Sequence, residues 1–154
     1  MVNLLSVGRS TADPALDDWY VDGSSLARWM SRFECEGPIP RGDGVLATRH
    51  PDDLRALLGR PVPSHLPSRL EDCGLPSGRV PLYSCSRCGA PECGVFAVRV
   101  TYDRATAPAT VHWTDFAWES DSDPAPGPSP DYATLPTIKF DLVRYETVLR
   151  QLLH

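Results

Sequence analysis

Positive charge is scarce in this sequence, and lysine is almost absent from it. Among 154 residues there are 15 Lys and Arg against 20 Asp and Glu, which gives a formal net charge of −5, and Lys139 is the only lysine. General nucleic-acid binders neutralise phosphates with basic clusters, and no such cluster stands out here. We therefore expect no nucleic-acid partner, and we interpret isolated arginines as solvated surface residues.

Long apolar runs are also missing. No window reaches the roughly 18 apolar residues that a membrane-spanning helix needs. Residues 2–7 form a short apolar run with no basic residue before it, which does not resemble a signal peptide. The five cysteines are an odd number, which is unsuited to a disulfide framework. Because reduced thiols are typical of the cytoplasm, the sequence predicts a cytoplasmic protein with no membrane partner.

The chain does contain enough apolar material for one folded core. Hydrophobic residues make up 42% of it and charged residues 23%, both ordinary values for a globular protein. A chain of this length can bury a core without help from disulfides. We therefore expect a single domain over residues 1–154. The 16 prolines concentrate in segments without periodicity, which we interpret as loops.

Three segments have the periodicity and the end signals of helices. Apolar residues at i, i+3, i+4 and i+7 predict a helix over residues 25–34, with one of two serines as its N-cap. A second helix is expected over residues 51–58, where a proline and two acids open the segment and a glycine follows it. Asp141 can cap a third helix over residues 142–153. The apolar positions of the first helix are Leu26, Trp29, Met30 and Phe33.

The second half of the chain alternates apolar and polar residues as half-buried strands do. Residues 119–132 are instead rich in acids, serines and prolines, and they are predicted to form a flexible loop. The fold class is therefore predicted as α+β, with an antiparallel sheet of four to six strands and two or three helices packed on one face. The predicted strands cover residues 2–7, 19–23, 79–84, 95–102, 110–118 and 137–140.

The densest chemical signal is a Cys-x2-Cys-x4-Cys sequence formed by Cys85, Cys88 and Cys93. It lies between two predicted strands, so we expect the thiols at a hairpin tip. A Cys-x2-Cys turn beside a glycine lets two thiolates approach one metal ion, which suits zinc. A closed zinc site needs a fourth ligand, for which the candidates, in order of preference, are Cys73, His112 and Cys35.

Two other interpretations of these cysteines stay open. The thiols can pack as small apolar groups in a tight turn, or Cys85 and Cys88 can form a redox couple. A redox couple is favoured by a helix N-terminus or a basic neighbour that lowers the thiol pKa. Here Arg87 is the only adjacent cation, and no helix is predicted after the motif. Zinc is thus the one cofactor that the sequence suggests, and a turn without any cofactor is the alternative.

A second candidate site lies in residues 111–119, which read VHWTDFAWE. In one interpretation Trp113, Phe116 and Trp118 form an exposed recognition surface, with Asp115 contacting a partner. In the other, Trp113 and Phe116 belong to the core, because aromatic strands are mostly packing elements. Asp115 then marks a β-bulge or satisfies backbone amides.

Several motifs are distinctive as a set. They are residues 20–26 (YVDGSSL), 57–60 (LLGR), 80–83 (VPLY) with the cysteine turn, 111–116 (VHWTDF) and 140–149 (FDLVRYETVL). Together they resemble those of a family of small uncharacterised proteins common in GC-rich Gram-positive (actinobacterial) genomes. The resemblance covers most of the chain outside the first strand and residues 119–132. It implies no activity that can be transferred, although some members are automatically labelled oxidoreductases, and no functional residue follows from it.

Two functions fit these observations. The first is a non-catalytic, protein-binding or regulatory domain, similar in kind to an immunity protein, because an aromatic strand stands beside an acidic loop and no assembled catalytic motif is visible. The second is a small thiol- or zinc-dependent enzyme centred on Cys85, Cys88 and Cys93. We expect the first, with a protein partner, and the sequence leaves the oligomeric state open.

Overall fold

The computed structural model describes residues 2–11, 14–40, 45–47, 51–59, 77–85, 94–119 and 127–153. In these ranges the chain forms eight strands, three α-helices and one 3-10 helix. In chain order they are β1 (Leu5–Arg9), β2 (Asp17–Val21), β3 (Ser24–Ser25), α1 (Leu26–Ser31), β4 (Val45–Ala47), α2 (Pro51–Leu57), β5 (Val80–Cys85), β6 (Val95–Asp103), β7 (Thr110–Glu119), the 3-10 helix (Pro130–Tyr132), β8 (Ile138–Asp141) and α3 (Leu142–Leu152).

The strands form two antiparallel sheets. Strands β4 to β8 make a five-stranded sheet in which sequence neighbours are also spatial neighbours, and β1 to β3 make a three-stranded sheet. Asn3 forms a parallel bridge with Phe140, so the N-terminal segment meets the outer strand β8 of the larger sheet. The α+β class is confirmed, since helices pack against the sheet, whereas the separate smaller sheet was not predicted.

One core joins the two sheets. Trp19 of β2 packs edge-to-face against Trp113 of β7, with ring centroids 6.1 Å apart. The indole N–H of Trp19 donates to the carbonyl oxygen of Leu82 on β5 at 2.8 Å, and that of Trp113 donates to the hydroxyl of Tyr145 on α3 at 3.1 Å. Both buried indole N–H groups thus have an acceptor, which offsets the cost of removing them from water.

The predicted helix caps are confirmed. The Ser25 hydroxyl accepts a hydrogen bond from the Arg28 amide at 3.3 Å at the start of α1. The Asp141 carboxylate accepts one from the Arg144 amide at 3.1 Å at the start of α3. Each cap satisfies one of the amides that a helix start leaves without a partner. In the described ranges no helix is long and apolar enough to cross a membrane.

The structure differs from the sequence-based predictions where elements are short. Strands β3 and β4 have two and three residues, too few for a period of two to be visible. Helix α1 ends at Ser31, so Phe33 lies beyond its end and contacts the Trp29 ring at a centroid distance of 4.8 Å. The predicted flexible loop contains the 3-10 helix, whose Tyr132 is buried; residues 120–126 of that loop lie outside the described residues.

Candidate functional site

The site begins at a bulge in β7. Asp115 has a φ of 58°, a left-handed conformation that aspartate tolerates better than most residues. The pairing of β6 with β7 shifts register between Ala97 and Arg99 at this point. One extra residue in β7 explains why Trp113 and Phe116, three positions apart, are both buried. The bulge is the feature that one interpretation of the sequence assigned to Asp115.

Arg79, just before β5, binds the bulge from inside the protein. Its side chain is fully buried. Its Nε donates to the Asp115 carbonyl oxygen at 2.6 Å, and its Nη2 donates to Asp115 Oδ1 at 2.8 Å. The same Nη2 donates to the Gly127 carbonyl oxygen at 2.8 Å, and Nη1 donates to Glu119 Oε2 at 2.7 Å. One guanidinium therefore joins both parts of β7 to the chain that returns at residue 127.

Two further side chains complete this cluster. Ser77 Oγ donates to Glu119 Oε1 at 2.5 Å. Arg99 Nε donates to Asp115 Oδ2, and Arg99 Nη2 to the Ser77 carbonyl oxygen, both at 3.2 Å. We call Ser77, Arg79, Arg99, Asp115 and Glu119 the arginine cluster. Its two cations and two anions balance, as buried ionised groups require.

A groove of about 460 Å³ lies beside the arginine cluster. Its volume falls within the range of roughly 300–1,000 Å³ that is typical of ligand-binding clefts. Arg99 and Asp115 provide its charged groups, and most of the remaining lining is apolar. The lining residues are Arg99, Asp115, Phe116, Pro128, Ser129, Pro130, Tyr132, Ala133 and Leu135.

The outer wall of the groove, residues 128–135, is tied to the segment after α1. The hydroxyl of Tyr132 donates to the Pro38 carbonyl oxygen at 2.6 Å, and the indole N–H of Trp118 donates to the same oxygen at 2.8 Å. The Gly37 amide donates to the Asp131 carbonyl oxygen at 3.2 Å. Burial raises the pKa of the Tyr132 phenol, helped by nearby negative charge, so its hydroxyl stays protonated and remains a donor.

The close approach at Gly37 explains why a glycine stands there. A Cβ atom at this position would lie 2.4 Å from Cζ of Tyr132 and 2.9 Å from Cβ of Asp131. Both distances are shorter than van der Waals contact, so a side chain would push the wall away. The outer wall is thus held by Arg79 through Gly127 at one point and by residues 37 and 38 at another.

The predicted aromatic recognition surface is corrected by the burial of its members. Trp113 is 0% exposed and Phe116 2%, so neither ring is displayed to a partner at an open surface. The core interpretation describes these two side chains. Trp118 is half-buried and tied to Pro38. Asp115 and Phe116 do line the groove. These two predicted binding residues therefore border a concave site and not an exposed aromatic surface.

The predicted zinc ligands fall mostly outside the described residues. Cys73, Cys88, Cys93 and the side chain of Cys85 are not among them. In the part of the chain that the structure describes, no three His, Cys, Asp or Glu side chains form a group able to hold a metal ion. Zinc therefore stays a prediction for the 86–93 turn.

His112 is too far along β7 to serve as the fourth zinc ligand. It pairs with Thr101, whereas the cysteine turn joins β6 at Val95, where Glu119 is the partner on β7. The six steps from Val95 to Thr101 correspond to roughly 20 Å of extended strand. This candidate is therefore wrong.

Neither Arg79 nor Glu119 could be identified as a site residue from the sequence, because isolated arginines are interpreted there as surface residues and Glu119 falls at the start of the predicted loop. The two lie 40 positions apart, and their ion pair exists only because β5 and β7 both flank β6. No local pattern distinguishes Arg79 from an exposed arginine at a strand start. One local signal was available. Trp113 and Phe116 are three positions apart, which does not fit the period of two of a regular strand and so indicates a bulge, whose free carbonyl groups need a donor.

The resemblance to an actinobacterial family stays a prediction. No family model, no curated protein and no solved structure matches the chain.

Proposed function

We propose that this chain is a non-catalytic binding protein and that its ligand site is the groove beside the arginine cluster. The observation that carries the proposal is the fixed geometry of both groove walls. The bulge in β7 is held by Arg79, and the outer wall is held through Gly127 and Pro38. Because the walls are already held in place, little conformational entropy is lost when a ligand binds, which favours affinity.

The charged groups at the groove are suited to recognition. Asp115 already accepts hydrogen bonds from Arg79 and Arg99, so its oxygens are committed to holding the bulge. Arg99 is anchored by the same carboxylate, and its side chain is 36% exposed. An anchored, partly exposed guanidinium presents donors in a fixed direction, which is the usual source of specificity in a mostly apolar cleft.

The ligand that we propose is a segment of a partner protein. The groove is open to solvent, because Pro128, Pro130 and Ala133 on its outer wall are exposed. Proline has a fixed φ, so two prolines on the wall restrict its movement. An open, stiff, apolar groove can accept an extended peptide of a few residues, as in other modes of peptide recognition. We propose a cytoplasmic location for this activity, where an odd number of cysteines would be kept as reduced thiols.

A matched pair of substitutions tests the proposal. Ala133→Trp obstructs the groove from its exposed wall, and Ala105→Trp adds the same side chain to the exposed β6–β7 turn. Proteins captured from extracts of the source organism are compared for wild type and both variants. The partner is then purified and its affinity measured by calorimetry. We expect the partner to bind wild type and Ala105→Trp equally and Ala133→Trp at least about tenfold more weakly. Equal binding by all three would refute the groove as the site.

A further inference from the structure

Arg99 retains hydrogen-bonding capacity on the groove. A guanidinium has five N–H groups, of which one on Nε donates to Asp115 and one on Nη2 donates to the carbonyl oxygen of Ser77. The three remaining N–H groups, including both on Nη1, donate to none of the residues that the structure describes. Arg99 also lines the groove. It can therefore donate to a ligand without giving up the contacts that position it.

We infer that the groove recognises an acidic side chain of the partner, flanked by apolar residues, with Arg99 as its binding partner. This inference rests on the proposed function of the same groove. Hydrogen bonds from a guanidinium to a carboxylate are charge-assisted and about twice as strong as those between two neutral groups, and the carboxylate adds the Coulomb attraction of opposite charges, which a neutral amide lacks. Asp115 is shared between Arg79 and Arg99, and Arg79 also pairs with Glu119, so the cluster as a whole is neutral and the ligand carboxylate is held by the N–H groups of Arg99 that have no described partner.

The surroundings of Arg99 explain why the acid is flanked by apolar residues. Next to the guanidinium the groove is lined by Phe116, Tyr132 and Leu135, and by the two prolines of the outer wall. Phe116 and Tyr132 are already buried, so a peptide that places an isolated carboxylate at Arg99 must lay its neighbouring side chains mainly on Leu135 and the two exposed prolines. Apolar side chains of the peptide gain free energy when they are buried there. A second negative charge would instead lose water without meeting a cation among the described residues.

The inference is tested with two peptides that differ only in charge. The probes are acetyl-Leu-Glu-Leu-amide and acetyl-Leu-Gln-Leu-amide, titrated into 15N-labelled protein while backbone amide shifts are recorded. We expect shifts at Phe116, Ala133 and Leu135 with both peptides. We expect a dissociation constant about three- to tenfold lower for the glutamate peptide. The Arg99→Gln variant is predicted to remove that difference, Arg99→Lys to retain part of it, and Arg28→Gln, on the exposed face of α1, to leave it unchanged.

The outcomes separate this inference from the proposed function. Equal affinity of both peptides, with shifts at the groove, would overturn the acidic specificity and leave the groove as a peptide site. Absence of groove shifts with either peptide would overturn both proposals. A third titration uses 4-phenylbutyrate, and tighter binding of this small carboxylate than of the glutamate peptide would overturn the assignment to a protein segment. If Arg99→Gln loses the dispersed spectrum of a folded protein, the comparison is made with Arg99→Lys.

Discussion

At the scale of single residues, the most consequential side chain is Arg79. Its guanidinium is fully buried and binds Glu119, Asp115 and the carbonyl oxygen of Gly127. A buried ion pair adds little net stability compared with an apolar pair, but the loss of one partner leaves an uncompensated buried charge. Arg79 therefore matters less as a source of stability than as the group without which Glu119 cannot remain inside.

Arg79→Ala is expected to lower the free energy of unfolding by about 3–5 kcal/mol, because Glu119 is left buried without its cation. Urea denaturation followed by tryptophan fluorescence measures this loss. The matched control is Arg28→Ala on the exposed face of α1, for which we expect a change within about 0.5 kcal/mol. The double variant Arg79→Met, Glu119→Leu should recover part of the loss. A loss below about 1 kcal/mol for Arg79→Ala would contradict the role given to this residue.

Asp18 makes the stability of the folded protein depend on pH. Burial raises the pKa of its carboxyl above the ordinary 3.8, while hydrogen bonds from the Tyr83 hydroxyl and the Trp19 amide oppose the rise. A raised pKa in the folded state means that the protonated form is favoured by folding. The contribution of Asp18 to stability is therefore fully present below pH 3.8 and is lost as the pH rises through the folded-state pKa.

Asp18→Asn should remove this loss, because the amide oxygen can still accept from Tyr83 and Trp19 while it carries no charge. We expect the variant to gain stability relative to wild type as the pH rises from about 4 to 7. Urea denaturation at both pH values gives the difference in the free energy of unfolding between variant and wild type. Asp17→Asn, at an exposed neighbouring position, is the control. A difference between Asp18→Asn and wild type that does not change with pH would show that Asp18 is not the titrating group.

At the scale of secondary-structure elements, much of the fold could be predicted because its signals are local. Helix α3 was found from its cap at Asp141 and its apolar face, and β6 and β7 were found from their alternating side chains. Strand β4 was missed because its three residues carry no visible period. The groove could not be predicted, since Arg79, Asp115 and Tyr132 come from separate elements and meet only through long-range pairing.

The segment after α1 supports the outer groove wall, and Gly37 is where this support can be tested. Gly37→Ala places a Cβ atom 2.4 Å from Cζ of Tyr132, so the wall must shift. We expect a loss of about 1–3 kcal/mol in the free energy of unfolding and displaced NMR signals for Ala133 and Leu135. Gly127→Ala is the control, because nothing lies within 4 Å of its Cβ position. Similar behaviour of the two variants would contradict the tight contact between Gly37 and Tyr132.

At the scale of the whole molecule, zinc binding at the cysteine turn and partner binding at the groove are predicted independently of each other. The turn joins β5 to β6, and zinc bound there would stabilise the hairpin without taking part in ligand binding. If the turn holds zinc, protein purified without chelators contains about one zinc per chain, with Cys85, Cys88 and Cys93 protected from a thiol reagent. Absence of metal together with three freely reactive thiols would show that the turn holds no zinc.

The groove between the β7 bulge and residues 128–135 is where we propose that a partner protein binds. The most direct test is site-specific photo-crosslinking in the native cell, with p-benzoylphenylalanine replacing Ala133 on the groove wall or Ala105 on the β6–β7 turn. We expect one covalent adduct from position 133 and none from position 105, with the crosslinked peptide containing an acidic residue among apolar ones. The same adducts from both positions, or none from position 133, would contradict it.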